Sequence, residues 1–301
     1  MGNGAVRPDL PTIGEQIDAR VDLLARPEDD RLLARLRMRL QAARFTSAEI
    51  QDDDLIAIEA ERVLARIREE QEPYGHWRRI SMPGDLSAER FRVAPVDPEV
   101  AEVLHRSFHY IGTSREGLAL GLFDRRSDGA PPATLLTFSL FDLDHLTALL
   151  PIGLQPPEVL VLSRAYSFRW APRNAFSYAF RRALTHLTEA AGGVRLVLTY
   201  VNPNMGFTGA SYLASNWLDF AREPELRYDY LDGVYTTRRE LARRFGTANL
   251  LRLRAALGPR LTTSIQPLAP LEVLAYPATA QLRSRLLEDR GATGTAAAPS
   301  R

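Results

Sequence analysis

The sequence predicts a mixed α/β sheet preceded by an α-helical segment, and three observations support this fold class. From Thr12 to about Gln71, apolar residues recur at helical spacing, as in RLLARLRMRLQAARF and LIAIEAERVLARIREE. From Ser87 onward, short β-branched and aromatic runs alternate with amphipathic ones. With 301 residues, the chain is long enough to bury one large hydrophobic core or two modest ones.

The composition excludes several kinds of site and partner. The chain has no cysteine, so it holds no disulfide, no thiolate nucleophile and no cysteine-ligated metal. All 38 basic residues are arginine, which excludes a Schiff-base lysine and a Walker lysine. The histidines His145 and His186 lack metal-ligand spacing, so we expect no metal site. The absence of a membrane-length apolar run or a secretory signal leads us to expect a cytoplasmic protein with no membrane partner.

Breaks in the sequence pattern predict that the chain has three segments. Glu72-Pro73-Tyr74-Gly75 interrupts the helical periodicity, so we expect an α-helical N-terminal segment at 1–75. An α/β domain is expected at 76–287. The alanine- and glycine-rich end predicts a disordered tail at 288–301.

Within the α/β domain, the patterns predict an ordered series of strands and helices. The strands are RFRVAPV, GLALGLFDR, ATLLTFSLFD, EVLVLSRAYSF, VRLVLTYV and a last one, LEVLAYP. Asp97 and Asn174 are the expected N-caps of the helices DPEVAEVLHRSF and NAFSYAFRRALTHLTEAAGG. A short helix carries Tyr212, RYDYLDGVYTT is expected to form a hairpin around Asp232-Gly233, and TRRELARRFG reads as a helix.

This order of elements resembles the GNAT acyltransferase fold. The turn RWAPRNAFS is similar to the GNAT segment that holds the pyrophosphate of coenzyme A, and YVNPNMGFTGASYLASNW is similar to the second GNAT signature. The segments SFHYIG, LSRAYSFRWAPRNAFS and LEVLAYP make the resemblance closer to the Mom-type branch, named for the phage Mom DNA-modification protein. The resemblance covers roughly Arg92 to Leu287.

The resemblance implies acetyl-CoA or another acyl-CoA as cofactor. It implies that the strands at 158–167 and 194–201 are parallel neighbours that splay after Leu162 and Val201. An N–H near Ala165 or Tyr166 would polarise the thioester carbonyl. The cofactor-binding residues implied are Ser163, Ala165, Tyr166, Arg169, Arg173, Asn174 and Ser177. In the pyrophosphate turn, Pro172 and Asn174 stand near positions where GNAT proteins usually have glycine.

The same resemblance implies a catalytic set. Tyr212 would protonate the departing CoA thiolate as a general acid. Asn202 stands at the strand end where the Mom-type branch often has aspartate, so a base at that position would be lost or moved. The candidate bases are His109, Asp229 and Asp232, with His109 first because the unperturbed pKa of histidine lies near neutrality.

The acceptor stays open at this stage, and so do two other function classes. The acyl group would go to an amine on a DNA nucleobase or on a small molecule. The alternatives are a catalytically inactive GNAT-like module, and a nucleic-acid-binding protein that uses the N-terminal helices and the arginine-rich segment from Arg238 to Arg260. The net charge of +1 argues against strong duplex binding by the chain as a whole.

Overall fold

A computed structural model of the chain describes residues 53–80, 86–113, 115–127, 129–141, 153–155, 158–191, 193–223, 229–232, 234–263 and 269–293. The helices are α1 (Asp53–Gln71), α2 (Gly75–Arg78), α3 (Pro98–Val103), α4 (Ala175–Ala191), α5 (Ala210–Leu213), α6 (Arg238–Phe245), α7 (Leu250–Leu257) and α8 (Ala280–Thr293). The strands are β1 (Phe91–Pro95), β2 (Leu118–Asp124), β3 (Thr134–Leu140), β4 (Val159–Ser167), β5 (Leu196–Val201), β6 (Leu218–Glu223), β7 (Asp229–Leu231), β8 (Val234–Thr236), β9 (Leu261–Thr263) and β10 (Leu271–Pro277). A π-helical turn, Leu104–Phe108, continues α3.

Seven strands form the main sheet in the order β1-β2-β3-β4-β5-β10-β6. Every neighbouring pair is antiparallel except β4 and β5, which are parallel. A parallel pair needs a crossover connection, and α4 supplies it. This is the mixed sheet that the sequence predicted, and the fold class is confirmed as GNAT-like.

The two faces of the main sheet are covered by different helices. On one face, α4 buries Phe180 and Ala183 against Phe138 and Leu122 of the strands. On the other face, α3 and the π-helical turn belong to a cluster built around Leu104, Phe108, Leu135 and Phe168. Asp97 caps α3 as predicted, because its Oδ1 accepts the Glu99 N–H at 2.8 Å.

The chain divides into two compact units, with one division near the expected boundary at 75/76 and two, after 224 and after 269, that the sequence did not indicate. The larger unit comprises 71–224 and 270–301, and it contains the main sheet. The smaller unit comprises 1–70 and 225–269, so its second part interrupts the predicted α/β domain between β6 and β10. The predicted helical segment is observed as α1, while its part before Asp53 lies outside the described residues.

The end of the chain differs from the expected tail. Helix α8 runs to Thr293 and buries Leu282 and Leu286 in a cluster with the strands β5 and β10. The predicted tail therefore begins in a helix, and its last part, 294–301, lies outside the described residues. Among the described residues, no helix is both long enough and apolar enough to cross a membrane.

A buried histidine fastens the π-helical turn to the sheet. His105 is 1% exposed, and its Nε2 lies 2.9 Å from Oγ1 of Thr137 on β3. Its Nδ1 accepts the Arg115 N–H at 3.4 Å. Burial, helped by the nearby Arg164 guanidinium, lowers the pKa of His105 to about 4. The imidazole is therefore neutral in the folded protein at neutral pH.

This buried imidazole predicts a pH-dependent stability. In the unfolded chain His105 takes up a proton near its ordinary pKa of about 6.5, whereas in the folded chain it does so only near 4. The unfolded state thus binds more protons between these values, so the free energy of unfolding falls as the pH drops. We expect a loss of about 1–2 kcal/mol between pH 7 and pH 5 from this residue, measured by urea unfolding.

The comparison variant is His105→Gln, which keeps a polar group facing Thr137 but cannot titrate. It should lose that part of the pH dependence, whereas His186→Gln, whose ring nitrogen bonds the Val93 carbonyl at 3.1 Å, should keep it. Identical pH slopes in the wild type and in His105→Gln would show that the buried ring does not contribute as described.

Candidate active site

The parallel strands β4 and β5 separate in the middle of the sheet. Their pairing is limited to three residues of each strand, Val159 to Val161 against Leu196 to Leu198. Both strands nevertheless continue, β4 to Ser167 and β5 to Val201. The predicted splay is therefore present, and it starts earlier than Leu162 and Val201. Beyond the last pair, the facing edges of the two strands leave a gap.

A β-bulge on β4 coincides with the start of this gap. On β3, Thr137 pairs with Arg164 while the next residue, Phe138, pairs with Leu162, so Ser163 is the extra residue. The Ser163 hydroxyl donates to the Thr137 carbonyl at 3.1 Å and lies 2.9 Å from the Ser139 hydroxyl. A bulge bends its strand and increases the local twist, so the bulge at Ser163 gives a physical reason for β4 to leave β5 at this point.

The bulge also sets the direction of the backbone groups that follow. Ala165 and Tyr166 pair with Leu136 and Leu135 of β3. Successive residues of a strand present their N–H groups to opposite edges. One of Ala165 and Tyr166 therefore directs its N–H away from β3, toward the gap, which is where the sequence placed the donor for a thioester carbonyl.

A chain of hydroxyl groups lies at the point where the strands separate. Thr199 of β5 donates its hydroxyl proton to the Leu162 carbonyl of β4 at 3.0 Å, just past the last paired residues. Tyr212 forms a side-chain hydrogen bond with Thr199. Tyr212, the residue predicted as general acid, thus contacts β5 at the residue that is hydrogen-bonded to β4.

The surroundings of Tyr212 keep its phenol protonated. Burial raises the pKa of Tyr212 above its ordinary value, and the hydrogen bond with Thr199 offsets part of that rise. The ring packs edge-on against Phe176 of α4 at 4.8 Å and against Trp217 at 5.2 Å between centroids. These contacts orient the ring independently of the hydroxyl group.

The turn after β5 explains the glycines of the segment YVNPNMGFTGASYLASNW. Asn202 is buried, and its Oδ1 accepts the backbone N–H of Asn204 at 3.0 Å, which caps a short 3₁₀ turn. Gly209 has a φ of 68°, and a Cβ there would lie 3.1 Å from Leu274 Cδ1 and 3.3 Å from Val201 Cγ2. A glycine is therefore needed to bring the start of α5, and with it Tyr212, this close to the sheet.

The loop between β4 and α4, which the resemblance implies to be the pyrophosphate segment, contains one residue in the left-handed conformation. Asn174 has a φ of 64°, the left-handed conformation that glycine usually supplies. Asn174 can therefore stand near the position where GNAT proteins usually have glycine, because asparagine adopts the left-handed conformation more readily than other residues with a side chain. Arg169 and Arg173 are exposed on the same loop.

The first turn of α4 offers donors close to these arginines. Its leading N–H groups have no partner within the helix, and the helix dipole adds positive potential there. The Ser177 hydroxyl lies 2.6 Å from that of Ser215, which in turn donates to the Ser211 carbonyl at 2.7 Å. The predicted residue Ser177 thus links the start of α4 to the α5 segment.

His109 is held in place by neighbours on the same side of the sheet as α3. It is 5% exposed, and its Nδ1 accepts the Ile111 N–H at 3.2 Å. Its ring lies 4.7 Å from that of Tyr110, which contacts Phe207 of the turn after β5 at 4.8 Å. The lone pair of the neutral imidazole is therefore engaged, so His109 acts as a base only if the bond to Ile111 breaks. The catalytic role of His109 stays a prediction.

The two aspartates proposed as bases belong to the smaller unit. Asp232 makes a bidentate ion pair with Arg260, with both N–O distances 2.8 Å. The Arg260 guanidinium lowers the pKa of Asp232. Asp229 is buried in β7, and burial raises its pKa although Arg238 lies 3.6 Å away. These contacts stabilise the smaller unit, and a catalytic role for Asp232 stays a prediction. The part of the chain that the structure describes holds no group of three or more histidine or acidic residues placed to bind a metal ion.

Sequence reasoning missed several residues that build this site. Thr199, the one polar side chain in the buried run LVLTYV apart from tyrosine, carried a signal: a lone hydroxyl in a buried strand needs a partner. Ser139 and Thr137 carried no comparable signal, because threonine and serine are common in exposed strand positions. Their pairing with Ser163 depends on the bulge, which the sequence does not reveal.

Comparisons with known proteins identify a family for this chain. The chain matches the model of the Mom protein family over residues 90–266. A search of curated proteins finds no match. Among solved structures, Arabidopsis thaliana NAA60 in complex with acetyl-CoA is similar at 11% identity and a TM-score of 0.37, covering 62% of this chain and 99% of that one. The same plant protein in complex with a bisubstrate analogue gives 11% identity and a TM-score of 0.34, covering 63% and 99%.

The family match spans more than half of the chain, from β1 through β9, and it includes both strands of the gap. The resemblance that the sequence motifs indicated is confirmed: this chain belongs to the Mom protein family.

Proposed function

We propose that this protein is an acyl-CoA-dependent N-acyltransferase that uses acetyl-CoA or another acyl-CoA. The observation that carries the proposal is the gap between β4 and β5, with the phenol of Tyr212 held at its apex by Thr199. The acceptor is an amine, on a DNA nucleobase or on a small molecule. Membership of the Mom family and the GNAT-like strand order support the same reaction class.

The gap fits an extended, amide-bearing substrate arm. Past Val161, the backbone of β4 has no backbone partner on β5, and the Leu162 carbonyl accepts the Thr199 hydroxyl instead. An extended chain such as pantetheine carries two amides and can bond to such an edge as an added strand would. The donor among Ala165 and Tyr166 then lies along the path of the thioester, where it stabilises negative charge on the carbonyl oxygen.

The β4–α4 loop fits the charged end of the same substrate. Asn174 turns the backbone at the start of α4, where the Ala175 N–H is taken by the Pro172 carbonyl at 3.0 Å and the next N–H groups have no helical partner. Arg169 and Arg173 add charge-assisted donors. Helix N-termini and arginines are the groups that most often bind phosphate. Ser163 and Ser177 support this surface from the bulge and from the first helical turn.

The chemistry then needs one proton donor and one proton acceptor. The acceptor amine attacks the thioester carbonyl carbon, a C–N bond forms and the C–S bond breaks. Tyr212 gives its phenolic proton to the departing thiolate sulfur, and Thr199 holds the phenol in position before transfer. The proton lost by the amine passes to water, because the Nδ1 lone pair of His109 is engaged by Ile111. Water then restores the proton of Tyr212.

The arginines of the loop can be tested by substitution. Arg169→Ala combined with Arg173→Ala should weaken acetyl-CoA binding about 10- to 30-fold, because exposed charge pairs contribute on the order of 1 kcal/mol each. Calorimetric titration with acetyl-CoA measures this. Arg126→Ala combined with Arg285→Ala removes two exposed arginines elsewhere in the larger unit and should leave binding unchanged. Equal affinity in both double variants would place the pyrophosphate site elsewhere.

The general acid can be tested separately. Tyr212→Phe should lower kcat roughly 10²–10⁴-fold, the usual contribution of a positioned general acid. The Kd for acyl-CoA should hardly change, because the phenylalanine ring keeps the contacts with Phe176 and Trp217. The assay follows thiol release with candidate amines, including duplex DNA.

Two outcomes would contradict the assignment of Tyr212. Full activity in Tyr212→Phe would mean that water or another group protonates the thiolate. A fall in the melting temperature that accounts for the lost activity would mark the hydroxyl as structural. Acyl-CoA binding by the wild type without turnover on any amine would favour the alternative of a catalytically inactive module.

A further inference from the structure

A cleft opens beside the outer strands β1 and β2, on the face of the main sheet that α3 covers. Its volume is about 430 Å³, and sites for small molecules usually have about 300–1,000 Å³. This β1–β2 cleft is lined by aromatic, aliphatic and arginine side chains, among them Trp77, Arg92, Val96, Val100, Phe123 and Arg125. None of its lining residues has a role in the proposed reaction, so the cleft needs an explanation of its own.

Two aromatic rings form much of the apolar lining. Trp77 and Phe123 are half-buried and belong to the same hydrophobic cluster as Val96 and Val100. Phe108 stacks on Trp77, with 6.0 Å between the ring centroids and 23° between the ring planes. A ring held in this way offers a rigid surface on which a planar group can stack.

Close packing beneath the cleft depends on Gly121 of β2. A Cβ at this position would lie 2.6 Å from Pro132 Cβ, 2.6 Å from Val96 Cγ2 and 2.9 Å from Phe123 Cε2. All three distances are too short for a side chain, so a glycine is needed to bring these groups together. The Phe123 ring is therefore fixed from below.

The rim of the cleft carries excess positive charge. Arg92 and Arg125 are exposed, and neither makes an ion pair with a carboxylate in the part of the chain that the structure describes. Asp124 is buried in the lining, but its charge is compensated because Arg90 Nη2 lies 2.9 Å from its Oδ2. Together with Asp97, these three arginines and two aspartates have a net charge of +1, which favours an anion.

One of these cations lies directly beside an aromatic wall. The Cζ atom of Arg92 is 5.6 Å from the centroid of the Phe123 ring. A ligand that combines a planar ring with an anionic group can therefore use both contacts at once.

The cleft lies at the same end of the sheet as the β4–α4 loop. Phe91 pairs with Asp124, Leu122 pairs with Thr134, and Thr134 pairs with Ser167, the last residue of β4. The end of β2 is thus two strand spacings, about 10 Å, from the end of β4.

A hydrogen bond joins the cleft to that loop. Trp170 Nε1 donates to the Trp77 carbonyl at 2.6 Å. Trp170 directly follows Arg169, which is one of the two arginines proposed to bind pyrophosphate. A molecule whose phosphates lie on the loop can therefore extend toward the wall formed by Trp77.

We propose that the β1–β2 cleft binds a purine nucleotide, with the ring stacked on the wall formed by Trp77 and Phe123 and a phosphate held by Arg92 and Arg125. Aromatic side chains stack on the face of a base, and arginine suits the geometry of phosphate. A purine has the larger ring surface of the two kinds of base, which suits two aromatic residues.

Two sources can supply this chemistry. One is the nucleotide end of coenzyme A, an adenosine phosphate joined to the pyrophosphate that the β4–α4 loop would hold. The other is a free purine nucleotide. The first source rests on the proposed function, whereas nucleotide binding in the cleft does not.

The test is a calorimetric titration of the full chain with adenosine 3′,5′-bisphosphate. We expect saturable binding with a Kd below about 1 mM, and weaker binding of inorganic pyrophosphate, which has no ring to stack. Arg92→Ala combined with Arg125→Ala should weaken nucleotide binding about 10- to 25-fold, or about three- to fivefold for each exposed charge pair. The matched control, Arg181→Ala combined with Arg285→Ala, removes two exposed arginines outside the cleft and should leave the affinity within about twofold.

The aromatic wall is tested at Trp77. Trp77→Leu should weaken nucleotide binding at least about fivefold, whereas Trp77→Phe, which keeps a ring, should stay within about threefold of the wild type. Thermal melting shows whether both variants fold, and Phe123→Leu repeats the test on the second ring if Trp77→Leu does not. Equal losses in Trp77→Leu and Trp77→Phe would contradict stacking.

Competition experiments distinguish the two sources. If the nucleotide is the end of the cofactor, acetyl-CoA displaces adenosine 3′,5′-bisphosphate, S-acetylpantetheine does not, and the Arg92 and Arg125 double variant also binds acetyl-CoA more weakly. If the bisphosphate and acetyl-CoA bind together, the cleft takes a free nucleotide. Either result supports the proposed site.

Three outcomes would overturn the proposal: no saturable nucleotide binding by the wild type, equal affinity for pyrophosphate, and equal affinities in the cleft and control double variants. Nucleotide binding in the cleft without acetyl-CoA binding would support the cleft and refute the acyltransferase. Acetyl-CoA binding and turnover without nucleotide binding in the cleft would do the reverse.

Discussion

The short parallel pairing of β4 and β5 is the constraint on which the candidate site depends. Three residue pairs hold the centre of the sheet together, and the hydroxyl of Thr199 makes the next link, to Leu162. With more pairs, the strand edges that face the gap would satisfy one another and no substrate arm could bond to them. With fewer, the backbone pairing that joins the two halves of the seven-stranded sheet would be weaker. The bulge at Ser163 determines how many residues of β4 and β5 pair, because it bends β4 at the point where pairing stops.

The same arrangement positions a protonated phenol without a charged partner. Tyr212 is oriented by ring contacts on one side and by a neutral hydroxyl on the other. A nearby cation would favour the phenolate, whereas burial favours the neutral form. The wall of the gap at Tyr212 is therefore uncharged and carries one proton donor. The arginines proposed to bind phosphate, Arg169 and Arg173, belong to a separate loop.

The sequence was most informative where local patterns and tertiary structure agree. Alternation and capping residues were enough to predict β1, β10, α4 and the Asp97 cap, because each of these elements buries one face in a regular way. The smaller unit was not recognised as a unit. Its three strands have three residues each, too short for periodicity to show, and its core joins leucines from three elements whose contact no local pattern encodes. The same division applies to the candidate site: Tyr212 was predicted from motif order, whereas Thr199 and the Ser163 bulge depend on the register between strands that are distant in the sequence.

The position of β10 has a consequence for how the protein matures. This strand lies between β5 and β6, yet it is synthesised after both and after the whole segment 225–269. Until Leu271–Pro277 has been inserted, the outer edge of β5 is an open sheet edge, with its backbone groups unpaired and available to other chains. The β5 wall of the gap is therefore supported only after β10 has been added. Adding β10 closes a long loop, which slows assembly. A ribosome-bound chain that stops short of β10 has every side chain proposed here for chemistry, but β5, one of the two strands that place them, is still unsupported on its outer side.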